Sequence, residues 1–238
     1  MEPLVLLDTN VIIARCLDPG MDPKGRLAEG VLTTLSDESL VPYITESVRR
    51  EFEVKMHHRV GQILDILRRF SLEPPPAPNR EQSSLQAMEN LFARLRSDAP
   101  DSASALQVLE NRLVKTVGSW VAVTKESWGG LLGSVAVETT GLLAEIQKRF
   151  DTSGIMVIRT PSKVELERFR PFVPRKDLEH VALASSLARQ RTCKVIFVTL
   201  ESPLHAVRDQ IAAADPDLVV TTPAYLRNQI ERLRALPA

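Results

Sequence analysis

Two cysteines in 238 residues, Cys16 and Cys193, are too few for a disulfide framework, and no C-x-x-C pair is present to hold a zinc ion. Both read as buried thiols in a reducing compartment. Long apolar runs are missing too. No stretch reaches the roughly 18 uninterrupted apolar residues of a membrane span. The opening Met1-Glu2-Pro3-Leu4-Val5-Leu6-Leu7-Asp8 has no basic leader and soon meets an aspartate, so a cytoplasmic protein with no membrane association is expected. Nor is there an excess of charge of either sign: thirty Lys and Arg balance thirty Asp and Glu. That balance removes the simplest argument for nucleic-acid binding and leaves only local basic stripes. The candidates are Arg49-Arg50, His57-His58-Arg59, Arg68-Arg69 and Arg168-Arg170-Arg175-Lys176, each of which can equally be a solvated helix face. Neither G-x-G-x-x-G nor G-x-x-x-x-G-K-[ST] follows a strand, which excludes dinucleotide and P-loop binding.

What is present is a core supply, 44% hydrophobic residues, distributed with a clear rhythm. Short β-rich apolar runs end in polar residues and then turn helical. They are Leu4 to Leu7 before Asp8-Thr9, Leu40 to Ile44 before Thr45, Ile155 to Ile158 before Thr160, Val195 to Val198 before Thr199, and Leu218 to Val220 before Thr221-Thr222. Thr160-Pro161, Ser202-Pro203 and Thr222-Pro223 each put a hydroxyl before a proline, a helix-start signature. Five alternations predict an α/β domain around a mostly parallel five-stranded sheet. In such sheets ligands collect beyond the carboxyl ends of the strands.

Between about Ser71 and Gly154 the alternation stops. Glu73-Pro74-Pro75-Pro76-Ala77-Pro78-Asn79 cannot continue the preceding helix, because proline removes donors and clashes with the turn before it. Gln82 to Arg96, Ser102 to Val117 and Thr139 to Phe150 carry helical periodicity, whereas Trp120 to Gly133 receives no assignment. The expected organisation is a domain of residues 1–70 and 155–238 carrying an α-helical insertion of residues 71–154.

Four acids then draw attention. Asp8 ends the first strand, where it can face a cation with Thr9 and Asn10 to orient it, or cap the first helix. Glu51 lies in the helix after the second strand, where it and Glu53 flank the stripe of Val48, Phe52 and Met56 about equally; either can be a solvated helix-face acid. Asp177 opens a segment rich in small residues, where an acid also favours the helix dipole. His180 follows one turn later and is either a packed imidazole or a group that touches metal or substrate. Glu201 stands after the fourth strand, or equally in the first turn of the next helix. Four such carboxylates converging without a cation would repel one another and protonate. Oxygen-only ligands with no paired Cys or His select Mg2+ or Mn2+. Such ions activate water toward phosphodiesters.

At these residues the chain resembles the PIN-domain family, which includes the ribonuclease toxins of toxin–antitoxin pairs. The resemblance is carried by Leu6-Leu7-Asp8-Thr9-Asn10-Val11-Ile12, by Arg50-Glu51, by Lys176-Asp177-Leu178-Glu179-His180-Val181-Ala182-Leu183-Ala184 and by Phe197-Val198-Thr199-Leu200-Glu201. It implies a three-layer α/β/α fold, Mg2+ or Mn2+ held by Asp8, Glu51, Asp177 and Glu201 with Asn10 and Thr199 in support, RNA as substrate, and homodimers. It also makes an inhibitory protein partner a candidate. Two features depart from the family pattern. Glu201 stands where aspartate is more usual, and the insertion makes this chain longer than the small toxins. A PIN-like scaffold acting through its helical insertion is therefore the alternative to a nuclease. A haloacid-dehalogenase-type phosphatase fits poorly, because Asn10 occupies the place of its second acid.

Overall fold

A computed structural model describes residues 2–17, 23–72, 84–117, 125–159 and 164–235. Its strands are β1 (Leu4–Leu7), β2 (Pro42–Thr45), β3 (Met156–Ile158), β4 (Val195–Val198) and β5 (Leu218–Thr221). The helices are α1 (Thr9–Leu17), α2 (Pro23–Asp37), α3 (Glu46–Leu72), α4 (Ser84–Asp98), α5 (Ala103–Val117), α6 (Lys125–Asp151), α7 (Leu178–Arg191), α8 (Ser202–Ala206), α9 (Arg208–Ala214) and α10 (Leu226–Arg234). All five strands run parallel in the order β3-β2-β1-β4-β5, giving an α/β fold of three layers. The chain leaves β1 toward one side of the sheet and later fills the other with β4 and β5. The order therefore reverses between β1 and β4, which opens a crevice beyond their carboxyl ends.

Alternation along the strands explains the layers. Leu6, Val195, Phe197, Leu218 and Val220 point to one face and pack with Val181, Ala184 and Leu187 of α7, Leu204 of α8 and Ile211 of α9. Ala182, Ala184 and Ala188 are fully or almost fully buried, and their small side chains let α7 approach the sheet closely. Thr45 starts α3 by accepting the Val48 N–H on its Oγ1 at 3.3 Å. Phe52 stacks on Phe150 with centroids 5.0 Å apart, and Arg149 Nη1 donates to the Cys16 carbonyl at the end of α1 at 2.9 Å.

Two compact units emerge, one of Met1–Glu53 with Arg149–Ala238 and one of Val54–Lys148. These limits differ from the expected 70/71 and 154/155 because they fall inside two 27-residue helices, 53/54 within α3 and 148/149 within α6, rather than at helix ends. The second unit is helical, with Met88, Leu91, Phe92, Leu95, Leu106 and Leu109 buried, Arg96 paired with Glu110, and Arg94 over the Phe70 ring at 4.3 Å. α6 starts at Lys125, well before the periodic stretch from Thr139. The proline run and Thr160-Pro161 lie outside the described residues.

At the two described hydroxyl–proline pairs the expected caps do not form. Ser202 is already in the first turn of α8, the turn after Thr222 has no side-chain cap, and the Thr222 hydroxyl is buried without a partner. Proline alone sets these starts, since its fixed φ suits a first turn that has no use for its missing N–H. Among the described residues no helix is long and apolar enough to cross a membrane.

Candidate metal centre

Asp8 is 5% exposed at the end of β1, and its backbone continues the sheet by donating to the Val198 carbonyl at 2.9 Å. Its side chain is fully engaged. Oδ1 accepts the Thr9 N–H at 2.7 Å, while Oδ2 accepts Asn10 Nδ2 at 2.8 Å and Thr199 Oγ1 at 2.6 Å. Because the single Thr199 hydroxyl proton goes to Asp8, its oxygen is left to accept from Asn10 Nδ2 at 3.2 Å and from the Glu201 N–H at 3.0 Å. Asn10 Oδ1 in turn accepts the Leu200 N–H at 3.0 Å. Asn10 and Thr199 thus tie the end of β1 to the segment after β4 across the crevice.

Glu51 and Glu53 part company here. Glu51 Oε2 accepts Thr9 Oγ1 at 2.5 Å and His180 Nε2 at 2.9 Å, so it belongs to the crevice. Glu53 pairs instead with Arg49 Nε at 3.0 Å along the exposed side of α3. Glu201 Oε2 accepts Lys176 Nζ at 2.8 Å. Asp177 and Glu201 precede helices that they do not cap, since neither side chain bonds to the backbone N–H groups beyond it. Asp177 is 7% exposed, and its Oδ2 is buried without a hydrogen-bond partner.

The electrostatics join these groups. Burial pushes the Asp8 carboxyl above the usual range; hydrogen bonds from Thr199 and Thr9 and the charge of His180 oppose the shift, and Glu51 adds to it. Burial also raises Asp177, against the pull of Lys176 and with the repulsion of Asp8 and Glu201. For His180 burial acts downward, but the Glu51 hydrogen bond and the charges of Asp8, Glu51 and Glu179 outweigh it and the imidazolium is raised. Lys176 is raised chiefly by its bond to Glu201.

Asp8 thus lies within electrostatic reach of Glu51 and of Asp177, and Asp177 of Glu201, with Asn10 and Thr199 beside Asp8. His180, read from the sequence as either a packed imidazole or a group that touches metal or substrate, stands at 2.9 Å from Glu51, whereas Lys176 was not among the expected site residues. The spacing of Asp177 and His180, one turn apart on one helix face, was the available signal for the histidine. Lys176 was visible only as part of a basic stripe. In that same stripe Arg168 is occupied structurally by the Ala214 carbonyl and by Asp215, and Arg170 pairs with Glu167 at 2.8 Å.

The donor chemistry fits a hard divalent ion, being oxygen-rich with one buried carboxylate oxygen unsatisfied. Among the described residues, however, no three His, Cys, Asp or Glu side chains are grouped to hold a metal ion. Asp8, Glu51 and Glu201 each have an oxygen engaged by a protein donor. Comparison with protein-family models, curated proteins and solved structures finds no match for this chain.

Proposed function

We propose that this chain is a metal-dependent endoribonuclease of the PIN type, hydrolysing RNA phosphodiester bonds at the crevice between β1 and β4. The observation that carries the reading is Asp177 Oδ2, a buried unpartnered carboxylate oxygen in the same field as buried Asp8 and as Glu201. Such a concentration of negative charge is relieved by a cation. Asp8, Glu51, Asp177 and Glu201 are the residues that would hold Mg2+ or Mn2+. When bound, such an ion lowers the pKa of water and stabilises charge on the phosphate. The chain's own part is positional. Asn10 and Thr199 fix the Asp8 carboxylate, Thr9 and His180 fix Glu51, and Lys176 presents an ammonium beside Glu201 that can contact a phosphate oxygen.

A cleft of about 820 Å3 along the free edge of β5 supports a nucleic-acid substrate. Its lining includes His205, Arg208, Tyr225 and Arg232, groups that bind phosphates and stack on bases. His205 Nε2 also hydrogen-bonds the Thr199 carbonyl at 3.0 Å, which places that end of the cleft next to the crevice.

The test is cleavage of a mixed single-stranded and structured RNA in Mn2+, in Mg2+ and in EDTA, comparing the wild type with Asp8→Asn. Metal-dependent cutting that disappears in Asp8→Asn is expected. A second reading, a binding scaffold of the same fold, is favoured by the engagement of three of the four acids with protein donors. RNA or partner binding without cleavage under any condition selects it.

A further inference from the structure

Five consecutive residues, Leu218 to Thr222, line the cleft of about 820 Å3. Side chains of a strand alternate between its faces, so a cleft that touches every residue runs along the edge of the sheet rather than over one face. β5 is the last strand in the order, and among the described residues no strand lies beyond it. The Val195 N–H donates to the Asp217 carbonyl at 2.8 Å and the Thr199 N–H to the Thr221 carbonyl at 3.0 Å. Alternate residues therefore turn their main chain to β4, while Leu218, Val220 and Thr222 turn theirs to the open edge. Leu218 spends its N–H on the Asp215 carbonyl at 3.1 Å, and the Thr222 carbonyl accepts the Tyr225 N–H at 3.1 Å. Of the three, only Val220 keeps both its N–H and its C=O for the cleft.

The charges on the walls do not cancel. Lys194 is neutralised by Asp217 at 2.6 Å, but among the described residues Arg208 pairs only with its exposed neighbour Asp209, at 3.6 Å, and Arg232 makes no ion pair. Tyr225, 58% exposed, adds an open aromatic ring. Surplus positive charge, an aromatic face and an adjacent donor and acceptor answer the three parts of an unpaired nucleotide: phosphate, base face and base edge. A peptide adding as a further strand pairs several residues in a row, and one residue with both groups open is a poor template for it.

We propose that the β5 cleft is a subsite for single-stranded RNA, in which one base stacks on Tyr225 and hydrogen-bonds to the Val220 main chain while Arg208 and Arg232 hold the neighbouring phosphates. The inference rests on the ribonuclease reading above and names its substrate class, RNA with an unpaired segment. A duplex keeps its base faces stacked and its base edges paired, and the cleft has no room for it. Because His205 lines the cleft and hydrogen-bonds the Thr199 carbonyl at 3.0 Å, the subsite adjoins the carboxylates and the cut falls at a fixed offset from the bound base.

The experiment measures binding to the full chain in EDTA by fluorescence anisotropy, so that no cleavage is needed. The probes are a labelled single-stranded RNA octamer of mixed sequence, the same octamer annealed to its complement, and a glutamate-rich peptide of equal length. The single strand is expected to bind most tightly. Tyr225→Ala should weaken it about 5- to 150-fold, the usual loss for one stacked base, and Tyr225→Trp should restore it. Arg232→Ala should lower the slope of log affinity against log salt by roughly 0.7, one phosphate contact on a single strand. Both side chains stand at the surface, and the tryptophan variant separates stacking from any effect on folding. Equal binding of single strand and duplex, or a Tyr225→Ala chain that binds RNA as wild type does, overturns the subsite. A peptide that binds as tightly as the RNA and is lost in Tyr225→Ala also overturns it and gives the cleft to an acidic protein partner. Metal-dependent cleavage with RNA binding unmoved by Tyr225→Ala overturns the subsite and leaves the nuclease standing. Binding through Tyr225 with no cleavage under any condition upholds the subsite and overturns the nuclease.

Discussion

Replacing Thr199 by valine keeps shape and volume while deleting one oxygen at the centre of the crevice. Thr199 is completely buried, and its hydroxyl donates to Asp8 Oδ2 at 2.6 Å while accepting the Glu201 N–H at 3.0 Å. A hydrogen bond to a charged group contributes about 1.5–3 kcal/mol, and an orphaned donor adds about 1 kcal/mol or more, partly recovered where water reaches it. The expected loss is therefore about 2–4 kcal/mol. For a chain of this size that is roughly 4–16 °C in Tm.

The pH dependence has a definite sign. The Asp8 carboxyl is raised in the folded state, so the native protein holds its proton more tightly than the unfolded chain does. That preference stabilises the fold at low pH and is lost as pH rises through the native value. Thr199 opposes the shift, so Thr199→Val raises Asp8 further and the loss is larger at neutral pH than at pH 4. Thermal melts in EDTA measure both. Tyr43 and Tyr225 lie in the unit containing the sheet and report its unfolding. An unchanged tyrosine transition at neutral pH, or a greater loss in acid, would refute the account of the Asp8 environment.

In EDTA, the His180 imidazole should titrate above the usual histidine range by NMR, and Glu51→Gln should bring it down. Since its folded value is raised, the stability His180 contributes is complete below about pH 6.5 and lost as pH rises through the folded value. Cys16 is fully buried with its thiol pushed up to about 11, so Cys193 should react with a thiol reagent at pH 8 while Cys16 waits for unfolding. Mass spectrometry of the alkylated chain distinguishes the two sites. Glu53→Ala removes an exposed pair with Arg49 and should change stability by at most ~1 kcal/mol, and should leave the RNA cleavage proposed above intact. Glu51→Ala should abolish or sharply reduce cleavage, and equal activity in both variants would contradict the placement of Glu51.

Strand positions were legible because each strand is a short apolar run bounded by polar residues, and burial on both faces of a parallel sheet imposes that pattern locally. β1 and β4 match the expected runs residue for residue, and β2, β3 and β5 differ by one or two residues at their ends. Helix ends were less legible. The hydroxyl-proline pairs look like caps, yet Ser202 and Thr222 cap nothing, because proline fixes the turn without them. The full length of α6 was hidden by Gly129, Gly130 and Gly133, which weaken helical periodicity in the sequence while the helix continues through them.

By itself, the sequence determined the α/β class, the parallel sheet and the places of Asp8, Asp177 and Glu201 at strand ends or helix starts, since all of these follow from local periodicity and chain order. Only the tertiary structure decided which acid of α3 faces the crevice, that Asp177 caps nothing, and that His180 and Lys176 stand among the carboxylates. The physical reason is sequence distance. Thr9 meets Glu51 across 42 residues, His180 meets Glu51 across 129, and Thr199 meets Asp8 across 191. No local pattern encodes such pairings, and the charge state and geometry of each carboxylate depend on them.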